Sequence, residues 1–302
     1  MLFPIDDIDD ALMNGNFLKL AKTISSIEDK EPNVISYLEA LSPKNTPIIG
    51  ITGPPGAGKS TLISAMIEIW ISEGKRIAVL SVDPSSPFHH GAILGDRIRM
   101  KDWYLHPNVF IRSLASRGHL GGLTSSMIEL TTLLQSLSFD IIILETVGVG
   151  QSEVEVAALA DTTIVVFVPE AGDEVQMMKS GLMEVANLFV VNKSDRPDAE
   201  IFSNHLKQMI MTNVYKANVP KVINTIAAQK VGLIELVEAI YEQQHLLEKS
   251  DQKLKGIMAK VIQIITAHQL NKLDYPTIEH NVKIEIANGN ANLFNIAKQF
   301  MV

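Results

Sequence analysis

Between Gly53 and Ser60 the chain reads Gly-Pro-Pro-Gly-Ala-Gly-Lys-Ser. This is the spacing G-x-x-x-x-G-K-S, with which a backbone curls around phosphate. Gly56 and Gly58 let successive N–H groups turn toward one anion with no Cβ in the way. Lys59 brings a point charge to the β- and γ-phosphates, and Ser60 places a hydroxyl where Mg²⁺ would bridge them. Gly53, Ala57 and Thr61 complete the stretch expected to line a nucleoside triphosphate. Lys59 is expected to be solvated in an empty site, so that removing it costs function and little stability. A glycine-rich turn that fits the pattern by accident is the alternative. The flanks speak against it: a β-branched run, Ile48 to Thr52, precedes the loop, and a helical apolar pattern (Leu62, Ile63, Met66, Ile67, Trp70) follows it.

Three further places carry polar residues at the end of an apolar run. Asn192-Lys-Ser-Asp195 closes the run Asn187 to Val191. Guanine offers a ring N–H and an exocyclic amine side by side, and the Asp195 carboxylate can accept both; adenine has no such pair and would leave Asp195 unsatisfied. The Lys193 stem would cover the base plane, Asn192 belongs to the same base-binding set, and Ala227 can give a backbone N–H to the base oxygen. Phe139 to Glu145 is a long apolar run ending in an acid, the shape of a metal-binding strand with Glu145 where aspartate is usual. Gly148 follows and lets a backbone N–H approach the γ-phosphate. Val149 stands where Ras-like GTPases carry a water-positioning glutamine, and Gln151 lies two positions on. Arg76 to Val82 ends in Asp83-Pro, where Asp83 can reach the Mg²⁺ shell or simply form a turn.

Less specific features lie on the connecting segments. Asp96 is a candidate cation ligand in a glycine-containing loop that also holds Arg97 and Arg99. His89 and His90 are adjacent, but without further clustered ligands they read as solvated loop. Asp173, Glu174 and Lys179 can face the nucleotide or form a solvated helix face.

These residues require a scaffold of strands whose carboxyl ends converge. Apolar runs at 48–52, 76–82, 108–112, 139–145, 162–168, 187–192 and 220–226 alternate with helical patterns. That alternation predicts an α/β fold with a mostly parallel sheet flanked by helices, and ligands beyond the carboxyl ends of its strands. Residues 1–45 read as two helical segments, 46–247 as the nucleotide-binding domain and 248–302 as a helical arm. The arm shows a stripe at Leu254, Ile257, Met258, Val261, Ile262 and Ile265, a polar stretch through Asn271–Glu279, and a short terminal helix around Ala291–Phe300. Such an arm serves either dimerisation or packing on its own domain. A hydrophobic content of 46% is enough for a sizeable core, and the net charge of −8 argues against a nucleic-acid or membrane-surface binder. There is no cysteine, hence no disulfide or thiolate metal site. No run approaches the ~20 apolar residues of a membrane span. A soluble, cytoplasmic protein is the expectation.

The motifs taken together resemble the MeaB/ArgK GTPases, in the metallochaperone-like group of P-loop GTPases. The carriers are Gly-Pro-Pro-Gly-Ala-Gly-Lys-Ser (53–60), Val-Asp-Pro-Ser-Ser-Pro (82–87), Ile-Leu-Gly-Asp-Arg-Ile-Arg-Met (93–100) and Arg-Gly-His-Leu-Gly-Gly (117–122). Glu-Thr-Val-Gly-Val-Gly-Gln-Ser-Glu (145–153), Ala-Gly-Asp-Glu (171–174) and Asn-Lys-Ser-Asp (192–195) complete the set. The resemblance implies a P-loop NTPase fold, GTP/GDP and Mg²⁺ as ligands, and a homodimer joined by the C-terminal arm. It also implies a chaperone role toward adenosylcobalamin-dependent acyl-CoA mutases, chiefly methylmalonyl-CoA mutase, in loading and protecting the cofactor. By match to its motifs Ser60, Asp83, Asp96 and Glu145 would serve Mg²⁺ directly or through water, and the Asp173–Lys179 region would be a third switch sensing the partner. Lys59, Glu145, Gly148, Lys179 and Gln151 would be the residues of hydrolysis. Two departures stand out: Pro87-Phe-His-His-Gly91 replaces a usual Pro-x-Thr-Gly-Gly, and Ile226 replaces a serine. A nickel-insertion GTPase of the same superfamily would want a cysteine-containing or histidine-rich site, and an ATP-dependent kinase fits poorly with Asp195.

Overall fold

A computed structural model of the chain describes residues 1–83, 100–115, 122–146, 159–169, 182–213, 219–248, 252–288 and 292–300. Seven strands form one sheet: β1 (Ile48–Thr52), β2 (Ile77–Asp83), β3 (Val109–Ala115), β4 (Ile141–Thr146), β5 (Thr162–Phe167), β6 (Leu188–Asn192) and β7 (Lys221–Thr225). Their order is β3-β2-β4-β1-β5-β6-β7, and every neighbouring pair is parallel. The chain moves to one side of β1 for β2–β4 and to the other for β5–β7. The crevice beyond the carboxyl end of β1 is therefore where this topology leaves room for a ligand.

Both faces of the sheet are covered, which is why β1, β4, β5 and β6 are buried along their whole length and read as unbroken apolar runs. Alternate residues serve opposite faces. Ile49, Ile51, Val79, Ile143, Ile164 and Val166 pack under α4 (Lys59–Ser72) and, across the same layer, α8 (Leu233–Glu248). Trp70 of α4 is fully enclosed there; burying a side chain of this kind is worth ~2 kcal/mol or more. On the other face Ile48, Leu80, Val82, Phe110, Ile142 and Leu144 pack under α1 (Ile5–Met13), α2 (Leu18–Glu28) and α5 (Gly122–Gln135). Beside them Val165, Phe167, Phe189 and Val191 pack on Phe202, Leu206 and Ile210 of α7 (Ala199–Asn213).

The N-terminal segment forms three helices where two were expected. The extra break falls inside the first expected segment, where Gly15 takes a left-handed φ of 72° between α1 and α2, and α3 (Val34–Glu39) follows as the second. An Arg112–Glu28 ion pair at 2.6 Å, with a second bond from Arg112 to Ser25, fastens α2 to β3. A short helix α6 (Leu182–Val185) leads into β6, and a 3₁₀ turn (Ala227–Gln229) follows β7.

The C-terminal segment holds α9 (Gln252–Asn271), α10 (Tyr275–Ala287) and α11 (Leu293–Lys298). The polar stretch through Asn271–Glu279 contains the start of α10. Asp274 accepts from the Thr277 N–H at 3.3 Å and its hydroxyl at 2.7 Å, and a proline sits in the first turn. Those bonds to Thr277 hold the Asp274 carboxyl below the usual range, and cap plus proline are a helix start signal. Lys253 donates to Asn45 at 2.6 Å. The apolar stripe of α9 faces outward: Leu254, Ile257, Met258, Val261, Ile262 and Ile265 are 47–61% exposed. No helix among the described residues is long and apolar enough to cross a membrane.

Candidate active site

β1 delivers the chain into a loop built on three positive φ angles: 137° at Gly53, 79° at Gly56 and 88° at Gly58. A Cβ at Gly53 would strike the Val166 carbonyl of β5, and one at Gly58 would strike the Asn192 amide. At Gly56 a Cβ would meet nothing within 4 Å. There the loop is open, and only the backbone conformation calls for glycine. This is the fit expected of a phosphate cradle: tight where the loop rests on the sheet and vacant where an anion would sit. α4 begins at Lys59, so the positive end of its dipole and the N–H groups of its first turn face that space.

Lys59 is not solvated, contrary to expectation. It is 7% exposed, and its ammonium donates to the Gly53 carbonyl at 2.6 Å and the Pro54 carbonyl at 3.0 Å. The side chain thus arches back over its own loop. The cause is local: a helix starting at Lys59 points its side chain toward the preceding turn, where the loop carbonyls gather.

The next residue completes a buried acid–hydroxyl cluster. Ser60 donates to Glu145 Oε1 at 2.6 Å, and Ser81 of β2 donates to Glu145 Oε2 at 3.0 Å. Glu145 is 4% exposed. A hydroxyl that donates to a carboxylate keeps its lone pairs for something else. The Ser60 oxygen therefore retains what a hard cation such as Mg²⁺ requires, and Glu145 supplies the balancing charge one atom further out. Above it, Thr146 donates to Thr52 at 2.9 Å, tying the ends of β4 and β1.

The base-reading motif is joined to the loop by one buried amide. Asn192, 2% exposed at the end of β6, donates to the Ala57 carbonyl at 2.9 Å. Its Oδ1 accepts from the Thr225 hydroxyl and the Ala227 N–H, each at 3.1 Å. Lys193 takes a left-handed φ of 57°, and its ammonium reaches the Gly56 carbonyl at 2.8 Å, so the stem spans from β6 to the loop. The Ala227 N–H expected to meet a base oxygen is donated to Asn192, and contact with a base would have to exchange that bond. Asp195 is exposed in the following turn.

The structure thus brings Gly53, Gly56, Ala57, Gly58, Lys59, Ser60, Thr61, Glu145, Asn192, Lys193, Asp195 and Ala227 to one edge of the sheet. Asp83 is the last residue of β2, at the same edge. Asp96, Gly148, Gln151 and Lys179 lie outside the described residues, as do His89 and His90. Sequence reasoning passed over Ser81, Thr52, Thr146 and Thr225. Each is a buried hydroxyl near the carboxyl end of a strand, and that placement was the available signal.

A seven-stranded parallel sheet with this loop after β1 defines a P-loop nucleoside triphosphatase. The comparison with solved structures agrees: the crystal structure of an LAO/AO transport system kinase superposes with a TM-score of 0.69 at 26% identity, covering 98% of this chain and 95% of that one. The family described as methylmalonyl Co-A mutase-associated GTPase MeaB matches residues 20–275. The GTPase ArgK of Escherichia coli is 38% identical over 256 residues, 79% of this chain and 76% of that protein. A protein of Pyrococcus horikoshii named among the GTPases is 43% identical over 276 residues, 86% of this chain and 87% of that protein. The chain belongs to the MeaB family and is a GTPase.

Proposed function

We propose that this GTPase is a chaperone of an adenosylcobalamin-dependent acyl-CoA mutase of the methylmalonyl-CoA mutase type, assisting cofactor loading and protection in the cytoplasm. What carries the reading is the match of residues 20–275 to the mutase-associated family. Its division of labour follows three segments: the helices of 1–45, the nucleotide-binding 46–247 and an arm, 248–302, that joins two copies. The outward apolar stripe of α9 supports that last part.

In hydrolysis, a water oxygen bonds to the γ-phosphorus of GTP as the bond to the β–γ bridging oxygen breaks, giving GDP and phosphate. Phosphoryl transfer asks the protein mainly to position and to neutralise charge. Lys59 meets the β- and γ-phosphates, the loop N–H groups meet their oxygens, and Asp195 reads the guanine edge. Mg²⁺ held by Ser60, with Glu145, Asp83 and Asp96 in or behind its shell, would neutralise charge across the same phosphates. Val149 has no group to orient a water, so intrinsic hydrolysis is slow and the partner's role is to order a switch. Lys179 would be the cation brought into line, with Gln151 next in order, and Gly148 would offer its N–H to the γ-phosphate.

Single-turnover GTP hydrolysis, with and without purified methylmalonyl-CoA mutase, tests this. The mutase should accelerate the parent. Lys179→Ala should keep GTP affinity and basal rate and lose the acceleration. A parent indifferent to the mutase overturns the chaperone reading, and a fully stimulated Lys179→Ala overturns the switch.

A further inference from the structure

The acid at the metal edge is a glutamate, one methylene longer than the aspartate usual there, and so has one more torsion to fix. Its neighbours show how it is fixed. In the parallel pairing of β2 with β4, Ser81 lies in register with Glu145. Strands in a sheet are ~4.8 Å apart, so a serine hydroxyl reaches only a group on its own row. Ser81 donates to Oε2 at 3.0 Å while Ser60, from α4, donates to Oε1 at 2.6 Å. The carboxylate is thus held at both oxygens by donors from two different elements. Ser81 is 1% exposed and sits in a strand whose other residues up to Val82 are apolar. A hydroxyl with that burial is retained for the bond it makes, because in such surroundings the bond is strengthened and its loss is costly.

We infer that Ser81 is a positioning residue for GTP hydrolysis, setting the rotamer of Glu145 and, through it, the direction in which Ser60 presents its lone pairs to the divalent cation. This rests on the reading of Ser60 and Glu145 as the metal edge of the site. Without Ser81, Oε2 loses this donor and the hold on the glutamate's last torsion is weakened. The acceptor of the Ser60 O–H is then less firmly placed, and the serine's lone pairs are less well aimed. Ser81 itself touches neither nucleotide nor cation.

The test uses the full chain loaded with GDP and Mn²⁺, whose binding is read directly by electron paramagnetic resonance. Ser81→Ala should weaken Mn²⁺ binding about tenfold, as expected for a lost hydrogen bond to a charged group. GDP affinity without divalent cation should stay near the parent's, while the thermal midpoint falls by roughly 2–4 °C because a buried carboxylate oxygen loses its donor. Glu145→Gln should weaken Mn²⁺ at least as much, and adding Ser81→Ala to it should change nothing further, since the serine acts only through the acid. If Glu145→Gln binds Mn²⁺ as the parent does, the metal-edge reading fails and the proposal with it. If Glu145→Gln is weakened and Ser81→Ala is not, only the proposal fails. Equal losses from Ser81→Ala in both backgrounds, or a matching loss of metal-free GDP affinity, show a general disturbance and also overturn it.

Discussion

Two regions of the molecule invert the usual distribution of side chains in opposite ways. At the carboxyl edge of the sheet, polar groups are buried: Lys59, Ser60, Ser81, Thr146, Glu145, Asn192 and Thr225 are all enclosed. In the C-terminal helices, apolar groups are exposed, up to 85% at Phe294. The first arrangement is tolerable because each polar group makes a hydrogen bond that fixes the next, from Ser81 through Glu145 to Ser60, and from Thr225 through Asn192 to Ala57. The second is unbalanced in a single chain. Six apolar residues at helical spacing on α9 gain nothing from water, and a stripe of that kind marks an interaction surface. A saturated polar interior suits a site prepared in advance for a small ligand; an apolar exterior is the kind of surface that another protein can cover.

If the first half of that contrast holds, its largest break is Lys59→Ala. Phosphate charge loses its nearest cation, and GTP turnover should fall by about 10³-fold or more. Because Lys59 is buried on two carbonyls, the variant should also lose ~1 kcal/mol of stability. Turnover assays and chemical denaturation check the two parts, and normal turnover would remove Lys59 from the machinery. Asp195→Asn comes next. The parent should prefer GTP to ATP by about 10³-fold. The variant should lose most of that preference and favour xanthine nucleotides, whose ring edge exchanges a donor for an acceptor. Calorimetry with the three nucleotides measures it, and unchanged guanine selectivity would remove Asp195 from base reading.

The two regions were not equally readable from the sequence. β1 lies where its β-branched run places it, and the other six strands fall within a few residues of their apolar runs; the central strands are the plainest, because a parallel strand buried on both faces is mostly apolar, whereas the edge strands β3 and β7 are only partly buried. The loop and the base motif were readable for a different reason: their chemistry is local, with Gly53 to Ser60 and Asn192 to Asp195 each contiguous. The partnership of Ser81 with Glu145 was not readable. It depends on β2 lying beside β4, and strand order is a property of the whole fold. The same holds for Asn192, whose four-residue motif says nothing of Ala57 or Thr225. In the arm, α9 announced itself by period. The start of α10 was hidden by its polar composition, although Asp274 and the proline of its first turn give a capping signal.

The second half of the contrast is tested on α9. Ile262→Asp places a charge in the middle of the stripe at a position that is 59% exposed in the single chain. In a monomer the change should alter stability by no more than ~0.5 kcal/mol. In a dimer closed by the arm it should raise the dissociation constant by about a hundredfold, the cost of a desolvated charge at the centre of an apolar interface. Sedimentation of parent and variant over a concentration series measures this, with GTP affinity unchanged as the control. A parent that sediments as a monomer at every concentration would mean that the stripe meets something other than a second copy.

The smallest effect comes from a residue that fits neither region. Glu129 on α5 is half-buried, and its enclosed Oε2 has no hydrogen-bond partner among the described residues. Desolvation pushes its carboxyl above the ordinary range, and the positive charge of Lys30 offsets that only in part. A carboxyl whose pKa is higher in the folded than in the unfolded chain binds its proton more tightly when folded. Its contribution to stability is fully present below about pH 4.5, the ordinary value, and is lost as pH rises through the folded value. Above that folded value the ionised carboxylate is poorly solvated, and its Oε2 has no hydrogen bond among the described residues. Glu129→Gln removes the charge and keeps the shape. The thermal midpoint should rise by roughly 2 °C at pH 8, and the gain over the parent should shrink toward zero as pH falls to about 4.5. GTP affinity and turnover should not change, because Glu129 belongs to the packing under the N-terminal helices and not to the carboxyl edge. A variant that is less stable than the parent at pH 8 would show that the ionised carboxylate is held by a favourable interaction, and that buried polar groups in this fold are bonded away from the nucleotide edge as well.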